Sequence, residues 1–401
     1  MLKLTFLGDI MCDSGMANTL YLYYDRNAKK YDFGDMFVHV SDLLSGSDYV
    51  MANLETPIAI ANQNLTHAQW EFNSPLEFAD AVKKMGVDYV STANNHCLDR
   101  GISGLKMTID SLNAVGLDHS GTQRPGERHY SIACVKGIKI GILSYTYGTN
   151  AFSNRCYLPF HYRKSVNLLQ EQEGFGKRLW GGIFRRCWRV YYKLESFFFP
   201  KNKDKPIYEK QTFQLYRKAL IRQDMRRLKK EKPDYIVVYL HIGGQYNDAP
   251  TQYTIETTDW MLKEGADVVI GNHEHVVHGS KVSNGQLATY SMGNFVSSAG
   301  AFSEPYDKGA EYSIALHVYI GECDHRVQKV TFSVLKTIIG KNGKIEVWPI
   351  DKLVHELKNS IDNRGLETEA LNIANVFSGK NYDTIESEFL LHNGFDYRKA
   401  L

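Results

Sequence analysis

The sequence predicts an α/β fold, and three observations carry that reading. Short apolar runs of strand length alternate with helix-like segments from the N-terminus onward. The runs are almost continuously hydrophobic, as expected of strands covered on both faces. Several of them end in polar residues of the kind that gather at the carboxyl ends of strands to bind ligands.

The elements follow in order. Residues 2–7 form a first strand that runs into Gly8-Asp9. Residues 48–52 form a second, ending at Asn53-Leu54-Glu55. A helix over 75–85 is marked by Ser74 as its cap, Pro75 in its first turn and Gly86 as its stop. Residues 87–92 form a strand that ends at Asn94-Asn95-His96, and a helix follows over 101–114, stopped near Gly116. Residues 130–135 and 139–145 flank Lys136-Gly137, a hairpin signal. A charged helix spans about 207–231 and breaks at Pro233. Residues 235–240 then reach His241 as a buried-type strand, and a helix through 259–264 stops at Gly265. Residues 268–270 lead to Gly271-Asn272-His273-Glu274-His275, and 286–291 lead to Met292-Gly293-Asn294-Phe295. Residues 312–320 and 327–336 read as antiparallel strands, and the tail from about 352 as helical and polar. The expected organisation is one main domain over 1–340, an aromatic-basic insertion at about 151–206, and a partly helical extension over 341–401.

Composition sets the remaining bounds. The 401 residues are 43% hydrophobic and 23% charged, enough to bury a full core without staples. A net charge of +2 gives no argument for nucleic acid. The six cysteines (Cys12, Cys97, Cys134, Cys156, Cys187, Cys323) are scattered without a CxxC pair, so reduced thiols are expected. No apolar run reaches the ~18–20 residues needed to span a bilayer. The run before Asp9 is too short for a signal-peptide core. A cytoplasmic protein is the expectation.

Five apolar runs end in Asp9; in Asn53 and Glu55; in Asn94, Asn95 and His96; in His241; and in His273 and His275. A single histidine after a strand is usually a hydrogen-bonded structural residue. Five polar strand ends together point to a shared site. Carboxylates, imidazoles and an amide oxygen suit divalent zinc, manganese or iron. A carboxylate such as Glu55 can bridge two ions roughly 3.5–4 Å apart.

Gly8-Asp9-Ile10-Met11, Ala52-Asn53-Leu54-Glu55, Ala93-Asn94-Asn95-His96, His241 with Gly243 and Tyr246, Gly271-Asn272-His273-Glu274-His275-Val276 and Ser291-Met292-Gly293-Asn294-Phe295 occur in one order. That ordered set resembles the CapA family of poly-γ-glutamate capsule-synthesis proteins over roughly 3–150 and 207–300. The family is itself similar to the calcineurin-like metallophosphoesterases. The resemblance implies a four-layer α/β/β/α sandwich of two mixed sheets. It implies that Asp9 and His275 are ligands of a first metal, Glu55 the bridging carboxylate, and Asn95, His241 and His273 ligands of a second. It makes His96 the general acid and Asp99 its orienting partner, with Asn53, Asn94 and Asn294 supporting the ligands or touching substrate. Met11 stands where the wider superfamily has a histidine ligand, so one complete metal site beside a depleted one is expected. Within the CapA pattern, Ile242, Gln245, Asn272, Glu274 and Asn73 are further departures, and they bear on the substrate.

The implied function is capsule or exopolymer synthesis by a metal-dependent hydrolase or transferase acting on a phosphoester or an amide. The alternative is a non-catalytic polymer-handling or assembly subunit with a vestigial metal site. Expected partners are an anionic polymer or a phosphorylated small substrate and other capsule-synthesis proteins, with no nucleic acid. Residues 175–199 combine aromatic side chains with Arg178, Arg185, Arg186, Arg189 and Lys193 at helical spacing. Such a segment can pack on the domain, act as a lid, or touch a membrane surface peripherally.

Overall fold

The computed structural model describes residues 1–59, 71–151, 153–172, 190, 215–298, 309–357 and 363–395. Their strands are β1 (Leu2–Ile10), β2 (Tyr24–Asp25), β3 (Lys30–Tyr31), β4 (Tyr49–Leu54), β5 (Tyr89–Ser91), β6 (Asp118–Ser120), β7 (Tyr130–Val135) and β8 (Ile138–Thr146). They continue with β9 (Tyr235–His241), β10 (Val268–Asn272), β11 (Ser280–Ser283), β12 (Gln286–Thr289), β13 (Asn294–Val296), β14 (Tyr312–Ile320), β15 (Val327–Ile339), β16 (Ile345–Pro349) and β17 (Phe389–Phe395).

Two sheets dominate. The larger runs β16-β15-β14-β1-β4-β5-β6, with β13 also paired to β1 and β17 to β15. The smaller runs β11-β12-β10-β9-β8-β7. Both are mixed: β1 is parallel to β4 and antiparallel to β14, while β9 is parallel to β8 and β10, and β7 is antiparallel to β8. The α/β reading therefore holds.

Apolar side chains gather on both faces of each sheet. One buried cluster joins Phe6, Met51 and Tyr89 of the larger sheet to Ile140, Val237 and Ile270 of the smaller. A second packs Leu7, Val50 and Val90 against Phe78, Val82 and Leu112, which lie on the Leu76–Lys84 and Gly101–Val115 helices. A third packs Leu143, Val238 and Val269 against Ile221, Met225 and Met261 of the Leu215–Lys230 and Gln252–Lys263 helices. Each such side chain contributes about 1.5–3 kcal/mol by leaving water. This two-sided burial is why the strands read as apolar runs without alternation.

Most predicted elements appear within a few residues of their expected bounds. The Lys136-Gly137 hairpin forms with φ of 50° and 82°, as a turn of that chemistry requires. Ser74 is not a helix cap. Pro75 occupies the cap position, and the Ser74 hydroxyl donates to the Pro57 carbonyl at 2.9 Å, because the chain there pairs with the segment after Glu55. The tail is more than helical. β16 and β17 both pair with β15, and Leu353, Leu366, Ala370 and Phe377 of the tail helices enter the cluster shared by the two sheets. β17 reads Phe-Leu-Leu-His-Asn-Gly-Phe, without the alternation that marks a strand.

The described cysteines are all free thiols. Among the described residues, no helix is long and apolar enough to cross a membrane. The aromatic-basic segment 175–199 lies outside the described residues, apart from Val190.

Candidate metal centre

Strand register brings the predicted residues together. Asp9 lies opposite Asn53 on one side of β1 and opposite Asn294 on the other, and His241 lies opposite Asn272. Gly8 makes the crossing possible. A Cβ there would sit 2.0 Å from the Gly293 carbonyl oxygen, and that closeness lets the Asp9 amide donate to the same oxygen at 3.0 Å. The segments that end in Glu55, Asn95, His241 and His273 converge on the same edge. All the expected ligands are at most 4% exposed.

The supporting amides have distinct tasks. The Asn53 amide donates to Asp9 Oδ1 at 2.7 Å and lies 3.3 Å from His241 Nδ1. Asn294 donates to the Ala310 carbonyl, which turns its own oxygen to accept His275 Nδ1 at 2.9 Å. When the imidazole is neutral, that bond leaves the Nε2 lone pair available. Asn94 donates to the Leu54 carbonyl at 2.7 Å and accepts from the His96 amide at 3.2 Å, so it ties the end of β4 to the His96 loop.

Glu55 is the centre of the arrangement. Its Oε1 lies 3.3 Å from His241 Nε2, 3.8 Å from His275 Nε2 and 4.0 Å from His96 Nε2. Asn95 Oδ1 is 2.7 Å from His241 Nε2. The His273 amide donates to Asp9 Oδ2 at 3.2 Å, and His275 Nδ1 approaches the same oxygen at 3.5 Å. Two overlapping donor groups result, Asp9 with Glu55 and His241, and Glu55 with His273 and His275. They share Glu55, as a bridging carboxylate would. They cross the partition implied by the resemblance, which set Asp9 with His275.

These residues fit a cation. Both Glu55 oxygens, Asn53 Oδ1 and His273 Nδ1 are buried without a hydrogen-bond partner. Leaving such groups unmet costs about 1–3 kcal/mol each, and an ion held by Glu55 and the imidazoles would meet part of that need. The electrostatics agree. Burial and the neighbouring Glu55 charge raise the Asp9 pKa. Burial pushes Glu55 upward too, but His241 and His275 outweigh it and hold the carboxyl well below its usual range. Burial lowers His275, but Glu55 and Asp9 overcome it and bring the value to about 9. Burial and the His241 charge depress His273 well below its ordinary value. The proton on His275 thus helps to balance the carboxylates where a dication would. His273 and His275 sit at φ of 98° and 61°, a backbone strain that gathers at functional sites.

His96 stands beside this cluster. Its Nδ1 donates to Asp99 Oδ2 at 2.6 Å, and its Nε2 faces Glu55. Burial lowers its pKa, but Asp99 overcomes that and raises it. Phe72 stacks on the imidazole with centroids 3.7 Å apart and planes at 7°. Tyr147 packs on His273 and Tyr246 on His275, with centroids 4.7 and 5.5 Å apart. The Gln245 amide reaches His275 Nε2 at 3.3 Å. The sequence reading did not place Phe72, Tyr147, Asn150 or Asn154 in the site. Only Phe72 had a signal, standing at the head of the Phe72-Asn73-Ser74-Pro75 motif. Asn73 is fully buried and accepts from the Ala59 amide.

Comparison with known proteins agrees with this architecture. The chain is 25% identical over 304 residues to the capsule biosynthesis protein CapA of Bacillus anthracis, an alignment covering 75% of this chain and 60% of that one. It is 23% identical over 305 residues to the PGA biosynthesis protein CapA of Bacillus subtilis strain 168, covering 75% and 64%. The chain thus spans less than two thirds of the length of these relatives. The family described as bacterial capsule synthesis protein PGA_cap matches residues 3–299, which include every ligand discussed above, and the chain belongs to that family.

Proposed function

We propose that the strand-end cluster holds a divalent metal ion and that the chain cleaves or transfers a phosphoester or amide during synthesis of a capsule polymer of the poly-γ-glutamate type. The observation that carries this reading is Glu55: a fully buried carboxylate ringed by His241, His273 and His275, with donor atoms close enough to share an ion. Asp9, Glu55, Asn95, His241, His273 and His275 would hold manganese, iron or zinc. A bound ion would supply Lewis acidity toward the attacked group and lower the pKa of a water.

The chain's own residues do the rest. Asp99 fixes the tautomer of His96 with the proton on Nδ1. In its protonated form, Nε2 donates a proton to the leaving oxygen or nitrogen. Asn53 and Asn294 hold Asp9 and His275 in place. The substrate class is an anionic polymer or a phosphorylated small molecule. A four-layer α/β/β/α arrangement, with helices outside both sheets, is the reading that the three apolar clusters favour.

Met11 favours a second reading, a polymer-handling subunit with a vestigial centre. It is buried immediately after Ile10, where the superfamily's first motif has its second ligand, and a thioether is a poor ligand for hard cations. A panel of phosphodiester and γ-glutamyl substrates with added manganese, run on wild type and His96→Ala, separates the two. Turnover lost in the variant supports catalysis, and equal turnover in both removes His96 from the chemistry.

A further inference from the structure

The Asp99 carboxylate is saturated in an unusual way. Three donors reach it, each at 2.6 Å: His96 Nδ1 and the Phe72 backbone amide on Oδ2, and the Asn154 side-chain amide on Oδ1. Its side chain is fully buried. Asn154 comes from a distant part of the chain, at the entrance to the 151–206 insertion. Its own backbone amide donates to the Asn150 carbonyl at 2.8 Å. Asn150 holds a φ of 48°, and its side-chain oxygen accepts from Asn95 Nδ2 at 3.5 Å. The two asparagines therefore touch both members of the Asn95-His96 pair, Asn150 directly and Asn154 through Asp99.

We propose that Asn154 is a positioning residue for His96. It holds the second oxygen of Asp99, so the carboxylate cannot rotate away from the imidazole, and the Phe72 ring prevents the imidazole from tilting. With Nδ1 and the ring plane fixed, Nε2 stays aimed at the cluster. The inference rests on the proposed role of His96. It also assigns Asn154, after the Ile138–Thr146 strand, a task at the centre. Asn154 is only partly buried and lies outside the apolar clusters, so its replacement spares the fold.

The test uses the full chain with histidine labelled by nitrogen-15 at the ring. The His96 resonance is identified by its loss in His96→Gln. In wild type the Nδ1 proton is expected far downfield and protected from exchange. In Asn154→Ala its exchange accelerates, while metal content stays unchanged. Asn154→Gln, which keeps the donor, restores part of the protection. An unchanged proton in Asn154→Ala overturns the inference.

This readout needs no turnover, so it separates the inference from the proposed activity. Kinetics then test that activity. Aryl phosphodiesters with poor leaving groups lose about tenfold in kcat in Asn154→Ala with KM unchanged, because they need the acid most. Diesters with good leaving groups change little. Equal losses across both would contradict a role through the acid. No turnover of any ester by wild type would sink the hydrolase reading and leave the resonance test standing.

Discussion

Strand β1 carries two buried polar neighbourhoods, and they are built on opposite plans. At its middle, the Thr5 hydroxyl lies 2.6 Å from Ser47 Oγ and 2.8 Å from His317 Nδ1. His317 Nε2 is 3.2 Å from the Ser333 hydroxyl, so both ring nitrogens are met. Burial, assisted by Lys3, holds this imidazole neutral and brings its pKa down to about 3. At the carboxyl end of the same strand, Asp9 joins a cluster in which Glu55 Oε1 meets imidazole nitrogens at 3.3, 3.8 and 4.0 Å but neither buried oxygen accepts a well-formed hydrogen bond. Burial is equally complete in both places, since His317 and Glu55 are each 0% exposed. The difference is whether the chain itself completes the polar groups. Where it does, the residues are structural. Where acceptors converge without well-formed hydrogen bonds, as around Glu55, the residues could hold an ion.

The comparison can be broken in four places. Glu55→Gln gives the largest effect. Removing the central carboxylate should cost metal affinity more than the ~10–100-fold typical of outer partners. Because Glu55 also balances the His275 proton, the metal-free variant should be less resistant to urea than metal-free wild type. Equal metal affinity in the two proteins would place Glu55 with His317 as a structural residue. His96→Ala should lower turnover by about 10²–10⁴-fold at unchanged metal content, as read by steady-state kinetics beside elemental analysis.

His317→Ala should differ from Glu55→Gln in sparing the metal. It leaves Thr5 and Ser333 without their shared partner and should lower unfolding free energy by about 1–3 kcal/mol with no change in bound metal. The smallest effect is in pH. The folded pKa of His317, about 3, lies below its ordinary value of 6.5. The unfolded chain therefore binds a proton that the native state refuses. Stability from this group is complete above pH 6.5 and falls as pH drops toward 3, by about 1 kcal/mol over the first full unit below the midpoint. Urea unfolding at several pH values should show this slope in wild type, and a flatter one in His317→Gln.

Legibility followed the same division. Asp9, Glu55, Asn95, His241, His273 and His275 stood out in the sequence because each follows an apolar run, and the fold turns that order into convergence at a sheet edge. The α/β class was legible for the same reason. Asn154 and Asn150 were not, because their approach to Asp99 and Asn95 depends on how a long connection returns to the sheet. No local pattern encodes that return. Ser74 misled because its position before a proline-led helix matches a cap, while a tertiary partner, the Pro57 carbonyl, claims its hydroxyl. β17 was missed because pairing with β15 overrides a sequence that contains Asn393-Gly394 and no alternation. Met11 was legible only as a departure from a resemblance, and that departure bears on the expected number of ions rather than on a shape.

That number is also the direct test of the central claim. Elemental analysis of the protein purified without chelators, wild type beside Glu55→Gln, should find one tightly held divalent ion per chain in wild type and essentially none in the variant. Wild type free of stoichiometric metal, or equal metal in both proteins, would contradict the assignment of the strand-end cluster as a metal centre.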